Sequence, residues 1–576
     1  MSDPVPTPDA LVQQGVAAFN AGDPAGAEKF FRSALAAAPG DLRAVHGLGV
    51  ILSQSGRKAE AIGFLAPYVE KGALLESLVL LGELYDETGD LARATLCFKA
   101  VLAQHPKHYA AAMRLAGIKD KSGDKPGARE CYRAAMEGSP DDIVAAIKFT
   151  GANWTKDPEG AVAIMERLLN TVGAKDLEKR AQILETLVLQ KEWWERMRRG
   201  LMPYHATDVS ELFYKYALDL AKDYEQTNIK RLNGPNPKMA RQALGYARFV
   251  LGDRLGAEPM MAPAPGETPR GNVLDNVRFQ PSFYDELLRD QLPEITDTLP
   301  EMFLLTPLVH DPAGVVYLSC NYFYFIAFAE PMLVSLRDKA PGTPVHIHIM
   351  DATKEEAETA AAFCERLKPL RFAISVERPG LTANDMESRC YYHAVRFIRF
   401  YQHLLAYECP LWMMDVDALF NRDPAEMFAQ LGGKDAAMRV RPGRFEPWNQ
   451  FNACIVGAST RPASLEYFRL IAAYIGRFYR DKALRWGIDQ LAMYGVYADM
   501  ADRGQAPTLA LLGEREIDYD YRDDGFVWCN SGLAKFRHLA RIQNPASLPT
   551  ADFDGNRFVE VFERTWKATQ DILHHA

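Results

Sequence analysis

Several features are scarce in this chain of 576 residues. Its eight cysteines are scattered, and no two form a Cys-x-x-Cys pair. No disulfide framework is expected, and a reducing, cytoplasmic compartment fits. Basic residues are in deficit, with 66 Lys plus Arg against 75 Asp plus Glu, a formal charge of -9. Without an overall basic field, nucleic acid is not an expected partner. The start, Met1-Ser2-Asp3-Pro4, lacks a basic segment followed by an apolar core, so no secretory signal is expected. A long uninterrupted apolar run is also missing. The nearest, Val315 to Leu336, contains Asn321, Glu330 and Pro331. Asn321 and Glu330 would be costly in lipid, so a strand, a turn and a helix in a buried core are expected there instead of a membrane span. The remaining composition, 48% hydrophobic and 24% charged, excludes a largely disordered or collagen-like chain. The length exceeds that of one compact domain, which predicts two or three.

An internal repeat fills the first third. Alanine recurs at Ala27, Ala61, Ala94, Ala128 and Ala161, at intervals of 34, 33, 34 and 33 residues. Four residues after the first four of these stand Phe31, Leu65, Phe98 and Tyr132. Small residues precede them at Gly15, Gly49, Gly82 and Ala116, and Pro39, Pro106 and Pro140 close three units. This spacing predicts a pair of antiparallel helices per unit. Small residues let the helices approach, a large one fills the gap, and proline ends the second helix. The pattern Leu81-Gly82-x-x-Tyr85, Ala94, Phe98, Pro106 resembles the tetratricopeptide repeat. Four good units over 8–142 and a worn fifth over 143–175 predict a solenoid spanning 8–175. Its concave groove would take an extended peptide or a partner helix.

Residues 176–255 read as a helical extension in which the repeat phase is lost, with Trp193 and Trp194 as core packing or a cap. Segment 256–272 carries Pro259, Pro263, Pro265 and Pro269 with three glycines, and reads as a linker. From about 300 to 576 the texture changes. Apolar runs at 315–318, 345–350, 411–414 and 452–456 read as buried strands, and 353–367 and 390–405 as helices. That alternation predicts an α/β sheet covered on both faces, with ligands beyond the carboxyl ends of its strands.

One segment concentrates the chemistry: Leu411-Trp-Met-Met-Asp415-Val-Asp417, followed by Asp423-Pro424, which reads as a helix start. An apolar strand runs into Asp-x-Asp, and residues i and i+2 of a strand project to one side. Two carboxylates there suit a hard divalent cation, which in turn binds a diphosphate. Asp-x-Asp also occurs at Asp518/Asp520 and Asp552/Asp554. No buried strand is expected before those two, and they read as solvated loops.

The segment resembles the metal-binding motif of A-type glycosyltransferases, which use nucleotide-diphosphate sugars. Further likenesses are Arg396-Phe397 and Arg399-Phe400 on the helix leading into the strand, Phe451-Asn452-Ala453-Cys454, Gly487-Ile488-Asp489-Gln490, and Gly532-x-x-Lys535. The resemblance covers roughly 310–540. It implies that Asp415 and Asp417 hold Mn or Mg, with Asp415 also near the ribose. Ser319, Cys320 and Asn321 would line the nucleotide site, with Asp351 nearby. Arg396 or Arg399 would face the diphosphate or sugar. Asn452, Asp489 and Gln490 would touch the transferred sugar, and Lys535 would neutralise the leaving diphosphate. One position departs from the family. Where it has a third metal ligand, a histidine, this chain has Cys529, and a thiol is a poor ligand for Mg or Mn.

Structural roles remain open for the same residues. Arg396 and Arg399 could be helix surface, Asn452 could satisfy buried backbone groups, Asp489-Gln490 could cap a helix, and Lys535 could be solvated. His346 and His348 read as core or edge positions. The expected function is a metal-dependent, hexosyltransferase-like enzyme whose repeat domain presents a protein or peptide acceptor. The alternative is a non-catalytic interaction scaffold with a degenerate transferase-like domain. A nucleotidyltransferase would need a glycine-rich phosphate loop after the first strand, and Ser319-Cys320-Asn321-Tyr322 is not one.

Overall fold

A computed structural model describes residues 6–70, 72, 74–153, 157–188, 211–263, 267–310, 312–381, 385–441, 446–519, 521–529, 565 and 569. The chain divides into two compact units, Met1–Leu187 and Val188–Ala576.

The first unit is a row of helix pairs: α1 (Pro8–Asn20), α2 (Pro24–Ala37), α3 (Leu42–Gln54), α4 (Lys58–Val69), α5 (Leu75–Glu87), α6 (Leu91–Gln104), α7 (Tyr109–Ser122), α8 (Lys125–Gly138), α9 (Ile143–Asn153) and α10 (Pro158–Thr171), followed by α11 (Leu177–Val188). Ala27, Ala61, Ala94, Ala128 and Ala161 are all fully buried. A Cβ on Gly82 would lie 2.8 Å from the Phe98 ring, and one on Gly15 equally close to Phe31. The absent side chain therefore seats the large residue of the same unit. Asp23, Asp90 and Asp124 each accept a backbone N–H at the start of α2, α6 and α8, at 2.9–3.0 Å. Trp193 and Trp194 lie outside the described residues.

Three further helices, α12 (Glu211–Arg231), α13 (Pro237–Val250) and α14 (Arg254–Met261), belong to the second unit. The last of these corrects the start of the expected linker, since residues 256–261 are helical. Ala257 and Met261 are fully buried in one core with Phe249, Tyr284 and Tyr317. Helix α14 tolerates Pro259 because the Leu255 carbonyl, which that proline cannot serve, accepts Gln280 Nε2 at 3.1 Å.

The main sheet has eight strands: β1 (Met302–Leu304), β2 (Val315–Asn321), β3 (Pro344–Met350), β4 (Arg371–Glu377), β5 (Leu411–Met414), β7 (Ala436–Val440), β8 (Phe451–Ala458) and β9 (Leu509–Leu511). Their order is β1-β4-β3-β2-β5-β8-β7-β9. β6 (Ala418–Phe420), β10 (Ile517–Asp518) and β11 (Val527–Cys529) form a small second sheet. Strands β4, β3, β2 and β5 are parallel, and β8 runs antiparallel to β5. Alternate residues of β2 enter different cores. Val315 and Tyr317 pack with α17 (Met386–Tyr407), α18 (Pro462–Arg480) and α19 (Ile488–Asp502). Val316, Leu318 and Cys320 pack with α15 (Glu330–Lys339) and α16 (Lys354–Glu365). Burial on both faces is why these strands read as nearly continuous apolar runs.

Chain order fixes where a ligand would sit. From β2 the chain steps outward to β3 and β4, then returns to β5 on the other side of β2. The switch point therefore lies between the carboxyl ends of β2 and β5, beyond Asn321 and Met414.

Candidate functional site

At that edge the backbone brings Asp415 to the amino end of the antiparallel β8, where its N–H donates to the Cys454 carbonyl at 2.8 Å. Helix α17 crosses the same edge. Arg396, only 5% exposed, donates from Nη1 to Asp415 Oδ1 in a short contact and from Nη2 to the Ala453 carbonyl at 3.3 Å. The second nitrogen also lies 3.5 Å from Asp489 Oδ2. Asp489, in the first turn of α19, is fully buried, and its Oδ1 lies 2.8 Å from His393 Nε2. Burial pushes the Asp489 carboxyl upward, but its interactions with His393 and Arg396 outweigh that and hold it below its ordinary value. The outermost member is Trp486, whose ring stacks on His393.

Asn452 has the structural role. Its Oδ1 accepts from Cys454 N at 2.7 Å, and its Nδ2 donates to Tyr519 Oη at 3.2 Å. Arg439 lies over the Tyr519 ring at 5.8 Å. With its amide oriented to satisfy both groups, Gln490 donates to the carbonyls of Phe451 (2.7 Å) and Trp448 (3.3 Å), which fixes the start of β8. Asp351, just beyond β3, takes a positive φ of 62° and accepts from Tyr392 Oη.

Other expected site residues are committed elsewhere. Arg399 is buried against Glu377, with Nε–Oε2 at 2.6 Å, and also binds Gln402 and the Pro300 carbonyl. It serves the fold instead of the Asp415 cluster. Cys320 points into the core beneath α15, where burial drives its thiol upward. Ser319 Oγ is buried next to Tyr317. Asn321 caps the turn after β2, accepting from Tyr324 N at 2.8 Å. His346 and His348 are fully buried and meet Ser375 Oγ at 2.8 Å, a core network as expected. Asp518 corrects the solvated-loop reading. It is fully buried, accepts from Arg522 N at 2.6 Å, and fits because Gly525 has no Cβ to strike its carboxylate. Asp423 accepts from Ala425 N at 2.9 Å, the expected helix start. Asp520, Lys535 and the pair Asp552/Asp554 lie outside the described residues.

Among the described residues no group of three or more His, Cys, Asp or Glu is arranged to hold a metal ion. Asp415 and Asp417 offer hard oxygens, which suit Mg or Mn if phosphate oxygens complete the shell. Cys529 is not a third ligand. It is 1% exposed and its Sγ lies 3.3 Å from Cys454 Sγ. Contact with the Cys529 thiol, then burial and the nearby carboxylates, raise the Cys454 thiol and keep it protonated, and a thiol is no ligand for a hard cation. A cavity of about 700 Å³ lies at the opposite edge of the sheet, lined by Pro344, Pro410, Trp412 and Phe428. Asp423, Lys434 and Arg461 also line it, but it lies at the amino ends of the strands, away from the switch point where ligands of such sheets bind.

His393 and Trp486 were not foreseen. His393 stands three residues before Arg396 and Trp486 three before Asp489, so helical spacing was the available signal for the histidine.

Two tetratricopeptide-repeat family models match, over residues 18–74 and 79–143. The N-terminal unit therefore carries tetratricopeptide repeats. No curated protein matches the chain. Similar solved structures include MamA from Desulfovibrio magneticus RS-1, 15% identical over 29% of this chain and 97% of that one, with a TM-score of 0.26. A tetratricopeptide repeat protein of Parabacteroides merdae is 14% identical over 44% of this chain and 90% of that one, with a TM-score of 0.29. A thermophilic repeat protein of Thermus thermophilus is 18% identical over 32% of this chain and 100% of that one, with a TM-score of 0.25.

Proposed function

We propose that the second unit is a metal-dependent, hexosyltransferase-like glycosyltransferase that moves a sugar from a nucleotide-diphosphate donor to an acceptor. In this reading the repeats recruit a protein or peptide acceptor, and the protein works in the cytoplasm. Repeats of this type bind protein partners. Among the described residues no helix is long and apolar enough to cross a membrane.

The observation that carries the enzymatic reading is the convergence of Asp415, Arg396 and Asp489 beside the β2/β5 switch point. Breaking the bond between sugar and diphosphate puts negative charge on the departing phosphate oxygen. A divalent cation held by Asp415 and Asp417 would supply electrostatic stabilisation of that charge. Arg396 is the buried positive group of the cluster, and it would balance the carboxylates while the donor is absent. Asp489, fully buried between His393 and Arg396, would hold those two side chains in position from beneath the site. Asn452 and Gln490 hold the amino end of β8 against which these groups are set.

The test is a thermal-shift screen of nucleotide sugars with and without Mn. A ligand at a hundred times its Kd adds about 2.7 kcal/mol, expected to raise the melting temperature of a unit this large by roughly 3–5 °C. The rise should require Mn and vanish in Asp417→Ala. If no nucleotide sugar shifts the wild type, or the variant shifts equally, the reading is wrong. The scaffold reading draws support from Cys529, withdrawn into the core, and from the Arg396–Asp415 ion pair. Donor hydrolysis with Mn that is absent from both the wild type and Asp417→Ala would favour it.

A further inference from the structure

Trp486 is held on display. It is 55% exposed, yet its chain neighbours on both sides are fixed. Arg485 binds Asp275 at 2.9 Å and the Leu484 carbonyl at 3.0 Å. Gly487 follows with φ of 89°, a left-handed conformation that favours glycine, and opens α19. One indole face lies on the His393 ring, with centroids 4.4 Å apart and planes 13° from parallel. His393 Nε2 lies in turn 2.8 Å from the buried Asp489 carboxylate. A single exposed apolar side chain is ordinary. This one is clamped from below, so that its outer face stays presented to solvent.

The clamp is continuous with the site. His393, Asp489, Arg396 and Asp415 follow one another at 3.5 Å or less from beneath the indole to the tip of β5. The platform is one ring in size, far smaller than the roughly 1,000 Å² that a stable protein interface needs. A ligand that matches it has one flat, apolar, weakly positive face, because the indole face is electron-rich. It also has a polar rim that is content in water.

We propose that Trp486 is the floor of a saccharide subsite, stacking the C–H face of one pyranose ring beside the Asp415 cluster. This inference rests on the transferase reading for its biological meaning but is tested separately from it. The ring could belong to the acceptor or to the donor sugar, and the experiment separates these sources.

The experiment is saturation-transfer NMR on the full-length protein, irradiating aromatic protein protons. The probes are the methyl pyranosides of glucose, galactose, mannose and N-acetylglucosamine, then UDP-glucose, then uridine monophosphate. The ring C–H protons of at least one methyl pyranoside should receive saturation. Trp486→Ala should weaken that binding about three- to tenfold, the range for one aromatic stacking contact, whereas Trp486→Phe should retain most of it. Because Trp486 is half exposed, both variants should melt like the wild type. Loss in Trp486→Ala confined to the methyl pyranosides assigns the ring to an acceptor. Loss confined to the glucose protons of UDP-glucose assigns it to the donor. No saturation of any sugar ring in the wild type, an unchanged signal in Trp486→Ala, or a loss confined to the uracil protons overturns the proposal. Asp417→Ala bears only on Mn-dependent nucleotide-sugar binding, so the transferase reading can fail while the pyranoside result stands, and the reverse.

Discussion

Arg396 and Arg399 stand three residues apart on α17, and the structure gives them opposite duties. Arg396 reaches the Asp415 tip, whereas Arg399 closes a buried pair with Glu377. Sequence spacing could not separate them, because both project from one helix face and the choice depends on which strand end lies opposite. Burial alone would raise the Glu377 carboxyl, but His348, Arg399 and a Tyr391 hydrogen bond hold it down at about 2, against an ordinary 4.5. The sign follows from linkage: a depressed carboxyl contributes stability that is complete above its unfolded value. Stability should therefore fall as pH drops from about 4.5 to about 2. Arg399→Leu strands the carboxylate and should cost about 3–5 kcal/mol at pH 7. It should also flatten that acid slope. Denaturant titrations across pH check both effects, and a variant as stable as the wild type would refute the assignment.

At the scale of elements, the repeat helices were legible because their packing is local. Each small residue meets a large one within its own or the adjoining helix pair, so the 33- to 34-residue interval carries the whole instruction. Phe98 is fully buried against Gly82. Phe98→Ala should destabilise the repeat unit by about 3–5 kcal/mol, read as an earlier helical melting transition. The second unit's own transition should stay where it was, since repeat stability is set by neighbouring repeats. Helix α14 shows the opposite case. The prolines and glycines of 256–272 signalled a linker, and what lets Pro259 sit in the helix is a glutamine twenty-five residues from the carbonyl it serves. Similarly, Asp518 looked like a loop acid because nothing local reveals the space left by Gly525.

For the whole molecule, the proposed function would divide the work between the two units. A chain lacking residues 1–187 should retain the Mn-dependent thermal response to a nucleotide sugar but lose transfer to the protein acceptor. Mass spectrometry of acceptor protein incubated with each form measures the second effect. Equal modification by both forms would remove the repeats from acceptor recruitment.

The sequence by itself determined the repeat solenoid, the central strands and the position of the Asp415–Val416–Asp417 tip, because helix pairing and strand burial leave periodic marks in nearby residues. Tertiary structure alone decided which side chains meet at that tip. It chose Arg396 over Arg399, sent Cys320 and Cys529 into the core, brought in His393 and Trp486, and folded α14 into the second unit. Those outcomes depend on strand order and on which helix crosses the sheet edge, and contacts between distant parts of a chain leave no period to read.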